Sequence, residues 1–242
     1  MNIILIIFSS IFMSMSSIVL QKDGLQQKIE KAFVESIESN SNEPLEKAVT
    51  TLAFAFEEKD TISTRYWLSY ARYHQALLAG EINKDKKQAE QFIDRAISLL
   101  KPLKNDSESL ALLSIQIGYS IRFKSYFAMV GLGQDSRAFA ETALALDPTN
   151  LRAYYSLAIN DFYTPKVFGG GREVEFYLKK ALGLSQNENV EDQPTWGKDS
   201  VYELLIKQYK KEEKDSLAQK YLTQALTLYP NNQQLKALFE EL

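Results

Sequence analysis

The chain of 242 residues contains no cysteine and a single histidine, His74. The first absence removes disulfide staples, zinc fingers, iron–sulfur sites and thiol nucleophiles together. The second leaves too few imidazoles for most His-based metal sites or a catalytic triad. There is no excess of charge of either sign: 28 Lys+Arg face 31 Asp+Glu, and a net charge of −3 gives no global basic footprint for nucleic acid. Glycine is scarce, with 10 residues, and long alternating apolar/polar runs of the strand type are missing. What is present is 45% hydrophobic and 24% charged residues, a composition that buries a core and argues against disorder.

Charge is also missing from residues 1–20, MNIILIIFSSIFMSMSSIVL; the first charged side chain is Lys22. The apolar stretch Ile3–Met13 has the length of a signal-peptide core, and the small residues Ser14 and Ser16 suit a cut before Ser17. A cut nearer Gln21 is the alternative. The pattern departs from a signal peptide in lacking Lys or Arg before the apolar stretch. About 20 uncharged residues also suffice to span a bilayer, so a retained anchor competes with cleavage, as does an ordinary buried segment. The expectation is an exported, periplasmic protein, with membrane anchoring by residues 1–20 as the alternative.

Beyond residue 24 apolar residues recur at helical spacing, as in Leu25, Ile29, Phe33 and Ile37. One triplet repeats: Ala48, Leu52, Ala55; Ala89, Ile93, Ala96; Ala218, Leu222, Ala225; and, more loosely, Ser136, Ala140, Ala143 and Val174, Leu178, Ala181. Offsets of four and three place each triplet on one helix face, where small residues let a neighbouring helix approach. Two copies stop at a proline five residues on, in ALALDP (143–148) and ALTLYP (225–230).

These residues resemble the tetratricopeptide repeat (TPR) family. The last unit matches best, with Tyr202, Leu205, Ile206 and Tyr209 on the first helix and Ala218, Leu222, Ala225 and Pro230 on the second. Trp67, Tyr70, Ala71 and His74 repeat the first-helix spacing, as do Tyr154, Leu157 and Ala158. The triplets recur every 38 to 47 residues, longer than the family's period of about 34. The extra residues are expected in loops at 78–88, 127–135 and 163–171, with a further insert at 185–199. Enlarged units and the pattern ALDP (145–148) followed by Thr164-Pro165-x-x-Phe168-Gly169-Gly170 are similar to exported bacterial TPR proteins, including the TPR-type component associated with TRAP transporters. The resemblance implies an all-α, TPR-like solenoid of about five enlarged hairpins, at 25–58, 62–103, 106–146, 149–184 and 197–228, closed by a capping helix at 231–241. Residues 21–242 are expected to form one domain, and stacked hairpins of this type offer a concave face.

In this family the concave face is lined by set positions of each first helix. The resemblance therefore implies Arg65 and Arg72 in the second unit, Tyr119 and Arg122 in the third, Arg152 and Tyr155 in the fourth, and Lys207 in the fifth. Such a groove suits an acidic or amphipathic peptide, or a carboxylate-bearing small molecule; its cations also read as an ordinary solvated face. Asn160, Asp161 and Tyr163 join the candidates because Asp161 falls where the repeat wants a large apolar residue. A carboxylate there requires a partner, either Arg152 or a loop N–H. Two readings stand: a ligand pocket at the groove mouth, or a side chain that ties down the following loop.

The remaining motifs carry little chemistry. Gly169-Gly170-Gly171 lacks the Lys-Ser/Thr of a phosphate loop and reads as a loop needing positive φ. His74 sits at a core-facing position and reads as a buried imidazole with one hydrogen bond. The rings Tyr66, Trp67, Tyr70, Tyr73, Tyr119, Phe123, Tyr126 and Phe127 are denser than a repeat core needs, and serve either as inter-hairpin packing or as the wall of an amphipathic groove. No nucleophile–base set is recognisable, and no metal or cofactor is implied. The expectation is a non-enzymatic scaffold that holds a protein segment or a small ligand in its groove. A solute-binding subunit with an enclosed pocket, similar to the TRAP-associated proteins, is the alternative.

Overall fold

The computed structural model describes residues 24–185 and 193–240. Eleven α-helices and no strand occur among them. They pair as α1 (Leu25–Glu38) with α2 (Glu43–Glu58), α3 (Ile62–Leu77) with α4 (Lys86–Leu100), and α5 (Ser107–Ser120) with α6 (Tyr126–Leu146). The array continues with α7 (Leu151–Tyr163) and α8 (Val174–Gly183), α9 (Lys198–Lys211) and α10 (Asp215–Leu228), and ends in α11 (Gln233–Glu240). Each hairpin packs on the next, as the repeat pattern predicts. The expected leader, residues 1–20, lies outside the described residues.

Local chemistry explains where these helices begin and end. Thr61 and Thr64 form a reciprocal capping box at α3, and the side chains of Asp85, Asp106 and Asn150 accept N–H groups at the starts of α4, α5 and α7. Pro44 sits in the first turn of α2, where its missing N–H costs nothing. At the other ends, α6 stops at Asp147 before Pro148, and α10 stops at Tyr229 before Pro230.

Four of the five triplets are fully buried: Ala89, Ile93 and Ala96; Ser136, Ala140 and Ala143; Val174, Leu178 and Ala181; Ala218, Leu222 and Ala225. The first is not. In α2 the buried face is Leu45, Val49 and Leu52, while Ala48 and Ala55 stay partly exposed. A second difference concerns 127–135, expected as a loop. These residues instead extend α6 to 21 residues, and the chain turns earlier, in a short 3₁₀ segment at Ile121–Phe123.

Side chains from successive hairpins interlock around Trp67, Leu110, Leu112 and Leu113 in the first half, and around Leu178, Leu205, Ile206 and Tyr209 in the second. Each large aliphatic among them contributes about 1.5–3 kcal/mol by leaving water. Between the halves lies a buried hydroxyl cluster: Ser114 bonds Ser156 at 2.5 Å, and Ser136 donates to the Ser114 carbonyl at 2.8 Å. Serines here let α5, α6 and α7 approach closely, and they satisfy one another.

Candidate functional site: a tyrosine-walled trough on the inner face

The inner face of α3, α5, α7 and α9 bounds a cavity of about 1040 Å³. Its floor is apolar and aromatic: Tyr73 and Leu77 from α3, Ile115 and Tyr119 from α5, Tyr155 and Ile159 from α7, and Leu204 from α9. The mouth is edged by Tyr126 and Val130 of α6 and by Tyr163 and Phe168 beside the 163–171 loop, all well exposed.

Of the residues expected at the groove, Tyr119, Arg122, Tyr155, Asn160, Asp161, Tyr163 and Lys207 line this cavity. The Tyr119 hydroxyl lies 3.2 Å from the Ala76 carbonyl and 3.1 Å from the Glu81 carboxylate, and burial with that nearby charge raises its pKa. The Arg122 guanidinium stands 4.2 Å over the Tyr119 ring and pairs with Glu81. Burial likewise pushes the Tyr73 and Tyr155 phenols up, so all three phenols stay neutral at ordinary pH. Lys207 pairs with Glu203 one turn away on α9.

Asp161 faces the cavity but its carboxylate is committed. It accepts the Glu173 N–H at 2.7 Å, while its own carbonyl accepts the Gly171 N–H at 2.9 Å. The partner is the loop N–H, and Arg152 is engaged elsewhere. The loop itself needs glycine: Gly169 and Gly171 have φ of 89° and 83°, and a Cβ on Gly170 would lie 2.0 Å from the Thr164 carbonyl oxygen. Asn160 donates to Ser136 at 2.6 Å, tying the end of α7 to the serine cluster.

Arg65, Arg72 and Arg152 lie away from the cavity. Arg65 forks onto Asp60 (2.5 and 2.6 Å), reaches the Leu99 carbonyl and covers the Phe56 ring, placing it against α2 and α4. Arg72 donates to Gln75 at 2.9 Å. Arg152 is buried and grips Glu108 with two hydrogen bonds of 2.5 and 2.6 Å. Its third bond, 2.8 Å, goes to the Trp196 carbonyl in the segment before α9.

That segment closes one end of the trough. Thr195 N–H donates to Gln26 of α1 at 2.8 Å, and the Trp196 indole donates to the Tyr66 hydroxyl at 3.0 Å. The Trp196 ring stacks on Tyr70 at 5.3 Å. A strap from late in the chain thus binds the first two hairpins, which spacing within single units does not reveal.

Other wall residues were also outside the expected set. Glu81 comes from a π-helical turn at Leu78–Ile82, and Arg137 from α6, a second helix of its unit. Positions carried over from first helices alone could not select either. With them the cavity wall carries three cations (Arg122, Arg137, Lys207) and three carboxylates (Glu81, Asp161, Glu203). Arg137 pairs with Glu141 at 2.8 Å, so each of these cations has an acidic partner. The lean towards Arg and Lys expected at the groove is neutralised in space. Among the described residues no group of three or more His, Asp or Glu side chains is placed to hold a metal ion.

No protein-family profile matches the chain, and no curated protein does. Solved structures do. TTC0263, a thermophilic TPR protein of Thermus thermophilus, superposes with a TM-score of 0.59 at 14% identity, over 88% of this chain and 97% of its own. The HusA haemophore of Porphyromonas gingivalis superposes with a TM-score of 0.54 at 20% identity, over 79% of this chain and 96% of its own. The fold is therefore an all-α, TPR-like solenoid of helical hairpins.

Proposed function

We propose that this protein is a non-enzymatic binding scaffold that holds a large, mainly apolar or aromatic ligand in its inner trough. One observation carries the reading: a cavity of about 1040 Å³ walled by Tyr73, Tyr119, Tyr155, Ile115 and Ile159, with its charges already paired. That volume stands at the upper end of ligand pockets, about 300–1,000 Å³, and is generous for a small organic acid. Tyrosines supply flat apolar contact plus a neutral hydroxyl, so they accept ring systems without demanding a charge. The haemophore among the structural neighbours suggests a probe of suitable size and shape, a porphyrin.

Titration of haemin and protoporphyrin IX, followed by absorbance and intrinsic fluorescence, tests this. Saturable one-site binding is expected, weakened roughly tenfold in Tyr155→Ala by the loss of buried aromatic contact. Absence of saturable binding by either porphyrin rejects the porphyrin probe, and the same silence from bis-anilinonaphthalene sulfonate rejects the pocket itself.

A protein partner is a second reading, favoured by the apolar rim. Phe127 is 93% exposed and Val167 83%, with Tyr126, Tyr163 and Phe168 nearby in sequence. A Phe127→Ser/Val167→Ser variant that loses a partner captured by wild type, yet titrates porphyrin normally, separates docking from ligand binding. Residues 1–20 are proposed to direct export. Intact mass of protein recovered from the periplasmic fraction should show an N-terminus near Ser17 or Gln21, whereas retained Met1 in the membrane fraction would make the segment an anchor.

A further inference from the structure

Behind Tyr73 and Tyr155 lies a second chamber of about 430 Å³, which shares those two rings and Ile115 with the large cavity. The two spaces form one trough with a waist. The far chamber is walled mainly by rings and aliphatics, with Phe33, Tyr70 and Trp196 among them, and its polar lining includes Glu81, Ser200, Glu203 and Gln234. It also contains His74, the only imidazole in the chain.

The imidazole is held in one state. Its Nδ1 lies 2.9 Å from the Tyr70 carbonyl oxygen, which can only accept, so Nδ1 carries the proton. Phe33 and Tyr70 meet the ring edge-on at 4.9 and 4.4 Å. Burial pulls its pKa down to about 4, which keeps the ring neutral at ordinary pH. Nε2 is then a bare lone pair, and among the described residues no protein donor reaches it. His74 lines the chamber, so an occupant that supplies a donor can be accepted at this atom.

We infer that the far chamber is a second subsite, selective for an apolar or aromatic ligand end that carries a hydroxyl or N–H and donates it to Nε2 of His74. The inference rests on reading the inner face as a ligand trough. It adds the chemistry of one end: a phenol, indole or alcohol is accepted, and the same skeleton capped as an ether is not. The chamber has room for a two-ring aromatic, and the Tyr70–Trp196 stack offers a flat wall for it.

A matched pair of probes tests this, 2-naphthol against 2-methoxynaphthalene, read by ¹⁵N NMR of the single histidine. The free protein should show protonated Nδ1 and bare Nε2. Adding 2-naphthol should move the Nε2 resonance in the hydrogen-bonded direction, and 2-naphthol should bind about two- to tenfold more tightly than its methyl ether, the range of one net hydrogen bond. Equal affinities, an unmoved Nε2 resonance, or protonated Nε2 in the free protein would each overturn the inference. His74→Phe should erase the preference between the probes. Because that variant alters a buried site, Ile82→Trp provides an independent check: Ile82 is 45% exposed and lines the far chamber but not the large cavity. Filling the chamber from there should abolish the Nε2 response while leaving porphyrin titration unchanged; a response that survives places the probe elsewhere and overturns the assignment. The two proposals fail separately. Porphyrin binding with no Nε2 response removes only the subsite, and an Nε2 response without porphyrin binding removes only the porphyrin reading.

Discussion

Arg122 and Arg152 come from consecutive hairpins and both were expected to face a partner, yet their surroundings differ. Arg122 and Glu81 keep side-chain exposures of 46% and 45% at the mouth of the trough. Arg152 and Glu108 keep 7% and 20%, and Arg152 also holds the strap through Trp196. Water screens the first pair and leaves it free to rearrange around a ligand. The second pair is committed, since removing either charge strands the other. Burial, more than residue type or repeat position, separates a structural arginine from an available one.

The largest effect is expected at the buried pair. Arg152→Met should lower unfolding free energy by about 3 kcal/mol, near the lower end for broken buried pairs because Glu108 retains some water. The shift in urea midpoint measures it, and a loss no larger than at Arg122 would collapse the distinction.

Next comes acid sensitivity from the buried interior. The unfolded chain protonates His74 below about 6.5, whereas the folded protein holds it neutral down to about 4. Stability from this group is therefore full above 6.5 and drains as pH falls from 6.5 to 4, by about 3 kcal/mol in all. Glu30 works the other way: burial raises its pKa, so stability falls as pH rises through its titration. The difference between wild type and His74→Phe isolates the histidine, and parallel pH profiles would show that the imidazole is not held neutral.

A smaller effect is expected at the strap. Trp196→Ala removes the stack on Tyr70 and the bond to Tyr66 and should cost about 2 kcal/mol. It should also weaken 2-naphthol binding, since Trp196 walls the far chamber. At the rim, Arg122→Met should change stability by less than about 1 kcal/mol. A cost equal to that of Arg152→Met would mean that the trough mouth is closed, and the ligand reading would need revision.

The hairpins were legible because an amphipathic helix writes its buried face into the sequence at fixed offsets. Ala89, Ile93 and Ala96 declare a helix that another must approach closely, whatever the remote chain does. The end signals Pro148 and Pro230 act within one turn and were equally plain. The run 127–135 misled because the surplus length of the repeat reads as a loop, whereas α6 runs through it with Tyr126, Phe127 and Val130 largely exposed, so no buried face marks the helix there. At the trough, Tyr119 and Tyr155 followed from repeat positions, but Glu81 and Arg137 did not, since a π-helical turn and a second helix bring them in. Asp161 was recognised as out of place, and only the fold chose the Glu173 N–H over Arg152 as its partner.

What the sequence by itself determined is periodic: the helices, their pairing into hairpins, and the small-residue faces that let the hairpins stack. These depend on contacts between residues a few positions apart or in adjacent helices. The tertiary structure alone decided the site, because its walls come from several hairpins at once and its closure from a bond between Gln26 and Thr195. Such contacts leave no spacing in the chain. They depend on how the hairpins curve, and that curvature determines which arginines are buried, which are paired at the rim, and where the histidine's unpaired nitrogen lies.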